Sequence, residues 1–125
     1  MQSFISQQAK AFRTAFRVSN SREAEARIMQ RILIVEEYRE LLDAELNVLC
    51  KRAGESDVLK ELADLVYVCF QYAENMGWDL DEALDRVHKS NMSKLDADGN
   101  PIYREDGKVL KGPNYKPPYL EDLVK

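Results

Sequence analysis

The sequence has no CxxC and no Cys/His pairing, and its single histidine, His88, stands apart from both cysteines, Cys50 and Cys69. Zinc sites and dithiol redox centres need such groupings, so neither is expected, and both thiols read as buried and free inside apolar helical patterns. No apolar run approaches the ~18 residues of a membrane span. Basic residues are not in excess either: the net charge is −4, which argues against broad binding to duplex nucleic acid or an anionic membrane. A small anion held by a local basic group is still compatible. There are no internal repeats and no low-complexity segment. The four prolines all lie beyond residue 100.

The 125 residues are enough for one domain with one real core, and 45% apolar residues with Trp78, six tyrosines and four phenylalanines exclude a disordered chain. The first 22 residues carry Lys10, Arg13, Arg17 and Arg22 but no acid, a faint transit-peptide feature. An ordinary first helix accounts for it better, over about residues 2–17, with Phe4, Ile5, Phe12 and Phe16 facing inward. The polar "SNSRE" then breaks the pattern. Ser21 is placed to cap a second helix, whose Ile28, Ile32, Val35, Leu42, Leu46 and Leu49 form a strong apolar stripe running to about Arg52, with Gly54 as the stop. Ser56 is placed to cap a third helix, from about Asp57 to Met76, ended by Gly77. That helix is apolar on nearly every face between Leu62 and Phe70, so it should be central, covered by the others or by another subunit. A short fourth helix begins near Asp79, where Asp79, Asp81 and Glu82 suit its positive end.

Beyond Leu95 the composition turns to glycine, proline and turn residues. Ile102 to Glu105 and Lys108 to Lys111 flank Asp106-Gly107, a hairpin signal, and Pro113, Pro117 and Pro118 favour an extended tail after it. The segment "DADGN" at 96–100 resembles the start of a calcium loop, but its glycine comes two positions early and Gly107 stands where the closing glutamate belongs. It reads as a turn. The expected fold is an all-α bundle of about four helices over residues 1–95, with a small C-terminal hairpin and extended tail over 96–125, in one domain.

The chemistry resides in "LIVEEYRELLDAEL", residues 33–46. Residues three or four apart share a helix face, so Glu36, Glu37 and Glu40 make one acidic patch in an otherwise apolar run. In the next helix "ELAD" repeats the geometry with Glu61 and Asp64. The short "AGES" connection implies antiparallel packing, which sets the two acidic pairs face to face. Carboxylates converging inside a bundle are costly without a compensating positive charge. Lysine or arginine can supply it, but an all-oxygen donor set suits Mg²⁺ or Mn²⁺ best. A di-iron centre would want two Glu-x-x-His pairs, and His88 follows Asp85 instead. The bland alternative is a solvated face with salt bridges to Arg39 and Lys60, on a helical oligomerisation module with no catalytic role. The apolar neighbours of Glu61 and Asp64 leave little solvated face for it.

Residues 36–64 read E-E-x-x-E, then twenty residues, then E-x-x-D, which resembles the signature of the MazG-like all-α nucleoside triphosphate pyrophosphatases. The tail from Val87 to Pro118 is similar to that of compact members, including phosphoribosyl-ATP pyrophosphohydrolase-like proteins, and with "AFRTAF" at 11–16 the likeness covers most of the chain. The resemblance implies a helical bundle assembled as a homodimer or homotetramer, with two or three Mg²⁺ ions, or Mn²⁺ in their place, held by Glu37, Glu40, Glu61 and Asp64. Glu36 would bind a further ion, orient a water or act as base. The implied reaction splits a nucleoside triphosphate between the α and β phosphates. Lys89 and Lys94 would hold phosphate oxygens, Asn91 a phosphate or sugar, with Arg104 and Lys111 as more distant candidates and Tyr115 and Lys116 as a closing segment. Phe12, Phe16 and Trp78 are candidates for base stacking, although aromatic residues at helical spacing more often belong to a core. The small size resembles phage members acting on (d)GTP. Phosphoribosyl-ATP, dCTP and dUTP stay open, and a cytoplasmic location is expected.

Overall fold

A computed structural model describes residues 3–125. It is all-α: helices α1 (Phe4–Ala15), α2 (Ala24–Leu49), α3 (Glu55–Met76) and α4 (Leu80–Met92) precede a single 3-10 turn at Glu121–Leu123, and no sheet forms among the described residues. The chain divides into two compact units, one ending at Trp78 and one running from Asp79 to Lys125. The fourth helix therefore groups with the tail.

In the first unit, Ser3 caps α1 by accepting the amide of Ser6; residue 2, which the expected helix included, lies outside the described residues. Helix α2 begins later than its sequence signal. Ser21 is not its cap, because the Ser21 hydroxyl accepts from the amide of Glu23 only two residues on. Its end also differs, since Lys51 rather than Gly54 takes the left-handed conformation at φ 59° and the Arg52 amide turns back to the carbonyl of Asn47. Gly54 instead starts α3, where Asp57, not Ser56, receives its amide at 3.2 Å. Gly77 ends α3 as expected, at φ 73°.

Helices α2 and α3 run antiparallel. Arg27 Nε donates to the Tyr72 hydroxyl near one end, at 2.8 Å, and Glu40 meets Glu61 further along. Helix α1 lies along α3, close enough for Gln71 Nε2 to donate to the carbonyl of Ala9. This contact explains a correction to the expected inward face of α1. Phe4, Phe12 and Phe16 are exposed, and Ser6, Ala9 and Arg13 are buried in their place. Only small side chains permit that approach, and Arg13 extends beyond it to donate to Asn20, Gln71, Asn75 and the carbonyl of Ser19. Burial pulls the Arg13 guanidinium below its usual range, opposed by the charge of Glu74.

The apolar core is thin: among the described residues, Ala9, Ala44, Phe70, Ala73 and Met76 are the buried apolar side chains. On α2 the buried positions are Gln30 and Ala44, with Glu37 half-buried midway between them. The stripe from Ile28 to Leu49 points the other way, and its members are 41–80% exposed. Cys50 ends α2 exposed rather than buried, while Cys69 is half-buried and pushed up by burial; both thiols are free.

In the second unit, Asp79 caps α4 by accepting the Glu82 amide at 3.0 Å. The tail is tied to α4 by Ser90 Oγ donating to the Lys116 carbonyl at 2.8 Å and by a bidentate Arg86–Asp122 pair. The expected two-stranded hairpin is reduced to one antiparallel bridge, Tyr103 with Val109, around a turn closed by the Gly107 amide on the carbonyl of Arg104. The ladder stops because the next donor, the Gly112 amide, goes to the carbonyl of Lys94 at 2.8 Å, and Pro101 and Pro113 have no amide hydrogen to offer. The 96–100 segment is the tight turn expected, with Asp96 Oδ1 accepting the amides of Asp98 and Asn100.

Candidate metal centre

Glu37 and Glu40 on α2 face Glu61 and Asp64 on α3. One carboxylate oxygen from each lies within 4.8 Å of all the others, with Glu40 exposed and the other three half-buried. Packing of two antiparallel helices accounts for the convergence: each pair sits three residues apart on its own helix, on the face turned toward the other. Glu36 is exposed and is not among the converging residues.

The charges here are only partly balanced by the protein's own cations. The Glu37 carboxyl is pushed up to about 7, first by burial, then by a hydrogen bond shared with Glu40 and by the charges of Glu40, Asp64 and Glu61. Buried oxygens of Glu37 and Glu61 have no hydrogen-bond partner. The salt-bridge alternative is realised only at the rim. Lys60 donates to Asp64 at 2.7 Å and to Glu61 at 3.4 Å, is 65% exposed, and is held above its usual range by those bonds. It does not reach Glu37 or Glu40. Arg39 forms no ion pair among the described residues.

Four hard oxygen donors, two with unpartnered buried oxygens, fit a divalent cation of the Mg²⁺ or Mn²⁺ type. No histidine joins them, and His88 is exposed on α4. Beside Glu40 and Glu61 opens a cavity of about 270 Å³ that Asp43, Asn47 and Asp57 also line. Sequence reasoning passed over Asp43 and Asp57, although Asp43 follows Glu40 by three residues, the spacing that paired Glu37 with Glu40.

The other sequence candidates divide between the two units. Phe12 and Phe16 stack on each other with centroids 4.6 Å apart, and Phe12 also meets Tyr67 edge-on at 5.7 Å, one helical turn beyond Asp64. Trp78 packs with Tyr72 at 5.9 Å, under the guanidinium of Arg27, with its indole nitrogen buried and unpartnered. In the second unit Lys89 is paired to Asp85 at 2.8 Å, Asn91 is exposed and Lys94 half-buried. Arg104 is paired to Asp106, Lys111 lies over the Tyr115 ring at 4.7 Å, and the Lys116 backbone bonds Ser90 and Ser93.

Two comparisons with known proteins give matches. The family model described as phosphoribosyl-ATP pyrophosphohydrolase matches residues 4–91, which include all four converging acids. Over 51 residues the chain is 43% identical to an uncharacterized protein, L479, of Acanthamoeba polyphaga mimivirus, a match covering 41% of this chain and 20% of that protein.

Proposed function

The chain belongs to the phosphoribosyl-ATP pyrophosphohydrolase family, which carries nucleotide pyrophosphohydrolase activity, and we propose that it is a divalent-metal-dependent nucleoside triphosphate pyrophosphatase. The observation that carries this reading is the four-carboxylate cluster with its unpartnered buried oxygens. Glu37, Glu40, Glu61 and Asp64 would hold the metal. A bound divalent cation supplies charge neutralisation for polyphosphate oxygens and acidifies water. Water then adds across the α–β phosphoanhydride, releasing a nucleoside monophosphate and pyrophosphate.

The protein's own groups do the remaining work in this proposal. Burial of Glu37 and Glu61 keeps their oxygens poorly solvated, so they bind a hard cation without first shedding a full water shell. Glu36, exposed beside the cluster, is the candidate for taking the proton or orienting the water. Lys89, Asn91 and Lys94 are candidates for the phosphates, and the exposed Phe12–Phe16 stack is the candidate platform for a base. Our preferred substrate is a purine deoxynucleotide such as dGTP, with GTP, dCTP, dUTP and phosphoribosyl-ATP as the other members of the test. A homodimer or homotetramer is the proposed assembly.

The test is a panel of dNTPs, NTPs and phosphoribosyl-ATP with and without Mg²⁺ or Mn²⁺, resolving monophosphate, diphosphate and pyrophosphate products. Metal-dependent monophosphate and pyrophosphate from one nucleotide is the expected outcome and names the substrate. Folded protein that turns over nothing, and is indifferent to Mg²⁺, would leave a helical interaction module instead.

A further inference from the structure

We propose that the flank of α2 bearing Arg27 and Arg31 is a second anion site, which takes a phosphate group and is separate from the carboxylate cluster. The first 31 residues carry six basic side chains, Lys10, Arg13, Arg17, Arg22, Arg27 and Arg31, against two acids, Glu23 and Glu25, although the whole chain stands at −4. The early turns of α2 are therefore locally positive. A cavity of about 300 Å³ opens there, lined by Ala24, Arg27, Ile28, Arg31 and Tyr72.

Arg27 is held in one pose. Its Nε donates to the Tyr72 hydroxyl at 2.8 Å, and its guanidinium lies 6.0 Å from the Tyr72 ring centroid and 5.7 Å from that of Trp78. The two terminal nitrogens of Arg27 have no acceptor among the described residues. Arg31, one turn on, is exposed, and neither arginine forms an ion pair among those residues, with Glu23 and Glu25 or with any other acid. Arg13 offers no such opening: its nitrogens are committed to Asn20, Gln71, Asn75 and the Ser19 carbonyl, and Glu74 balances its charge.

A guanidinium fixed by stacking and by its Nε loses little freedom when the rest of its fork closes on an oxyanion. Two guanidiniums and the Tyr72 hydroxyl, which keeps its own hydrogen to donate, line one cavity. That donor set suits the three terminal oxygens and double charge of a phosphate better than a planar, singly charged carboxylate. The cavity admits inorganic phosphate or pyrophosphate, or the phosphate end of a nucleotide. It shares no residue with the carboxylate cluster. At about 100° per residue, Glu40 falls on one flank of the line through Gln30, Glu37 and Ala44, and Arg27 and Arg31 fall on the other.

Titration calorimetry of the full chain in EDTA tests this, with inorganic pyrophosphate, dGMP and deoxyguanosine as probes. Without metal the carboxylate cluster repels anions, and no turnover is read, so the outcome is independent of the pyrophosphatase reading. Pyrophosphate and dGMP should each bind with a Kd below about 1 mM, and deoxyguanosine should not bind. Tighter binding of dGMP would assign the site to a nucleotide, and tighter binding of pyrophosphate to a free inorganic anion. Arg31→Gln should weaken binding about tenfold at unchanged Tm, and Arg27→Lys, which keeps the charge and loses the fork, by about as much. Lys10→Gln, in the recess beside Arg13, should change it less than about twofold. Absence of binding up to roughly 10 mM, equal binding of deoxyguanosine, or affinity that survives both arginine variants or falls as far with Lys10→Gln would overturn the site. Because Arg31 is exposed and unpaired, its variant gives an answer even if Arg27→Lys fails to fold.

Discussion

Replacing Glu37 by glutamine should stabilise the metal-free protein, and the effect should depend on pH in one direction. The Glu37 carboxyl rises from an ordinary 4.5 to about 7 in the fold. A carboxyl raised in this way favours folding fully below about 4.5, where both states hold the proton, and loses that support as pH climbs through about 7. At pH 8 the folded chain carries the unfavourable charge in full. A shift of this size corresponds to about 3.4 kcal/mol if taken whole. Glu37 is half-buried and solvent screens part of the repulsion, so about 1–2 kcal/mol is the working figure. For a chain of this length that is a rise in Tm of about 4–8 °C. Calorimetry in EDTA at pH 8 and pH 4.5 measures it: Glu37→Gln should melt higher than wild type at pH 8 and level with it at pH 4.5. Added Mg²⁺ should then stabilise wild type and barely move the variant, since one of the four proposed donors is gone. A variant melting at or below wild type at pH 8 would refute the claim that these carboxylates repel one another without an internal counter-charge.

Lys60→Gln should tighten Mg²⁺ binding by about two- to fivefold in titration calorimetry, because the exposed lysine competes for Asp64 and Glu61 and such rim pairs amount to about 1 kcal/mol or less; unchanged or weaker binding would count against a metal centre at those acids. Arg13→Met should cost about 2–4 kcal/mol in urea unfolding, since it removes charged hydrogen bonds from the buried acceptors Gln71 and Asn75. A neutral result would show that water replaces the guanidinium. Gly112→Ala should loosen the tail, visible as faster chymotryptic cleavage after Tyr115, because a Cβ there would sit 2.5 Å from the carbonyl oxygen of Lys94. Cleavage at the wild-type rate would mean that this backbone can shift freely.

The sequence by itself determined what depends on neighbours along the chain. The helical segments follow from periodicity, the ends at Gly77 and Asp79 from capping chemistry between adjacent residues, and the acid pairs from i, i+3 spacing together with a connection too short to permit anything but antiparallel packing. That is why the four converging carboxylates were legible in the sequence. Tertiary structure decided which surfaces turn inward. Helix α2 is apolar on two opposed faces, so its stripe from Ile28 to Leu49 carries no signal of direction; α3 takes the side bearing Glu37 and leaves the stripe outside. The close approach of α3 at Ala9 likewise overrode the phenylalanines of α1, and diversion of the Gly112 amide to Lys94 cut the expected hairpin to one bridge. Glu36 differs from Glu37 by one position, yet a rotation of about 100° per residue carries it out of the cluster. In each case the outcome is set by competition between surfaces distant in sequence, which local spacing cannot rank.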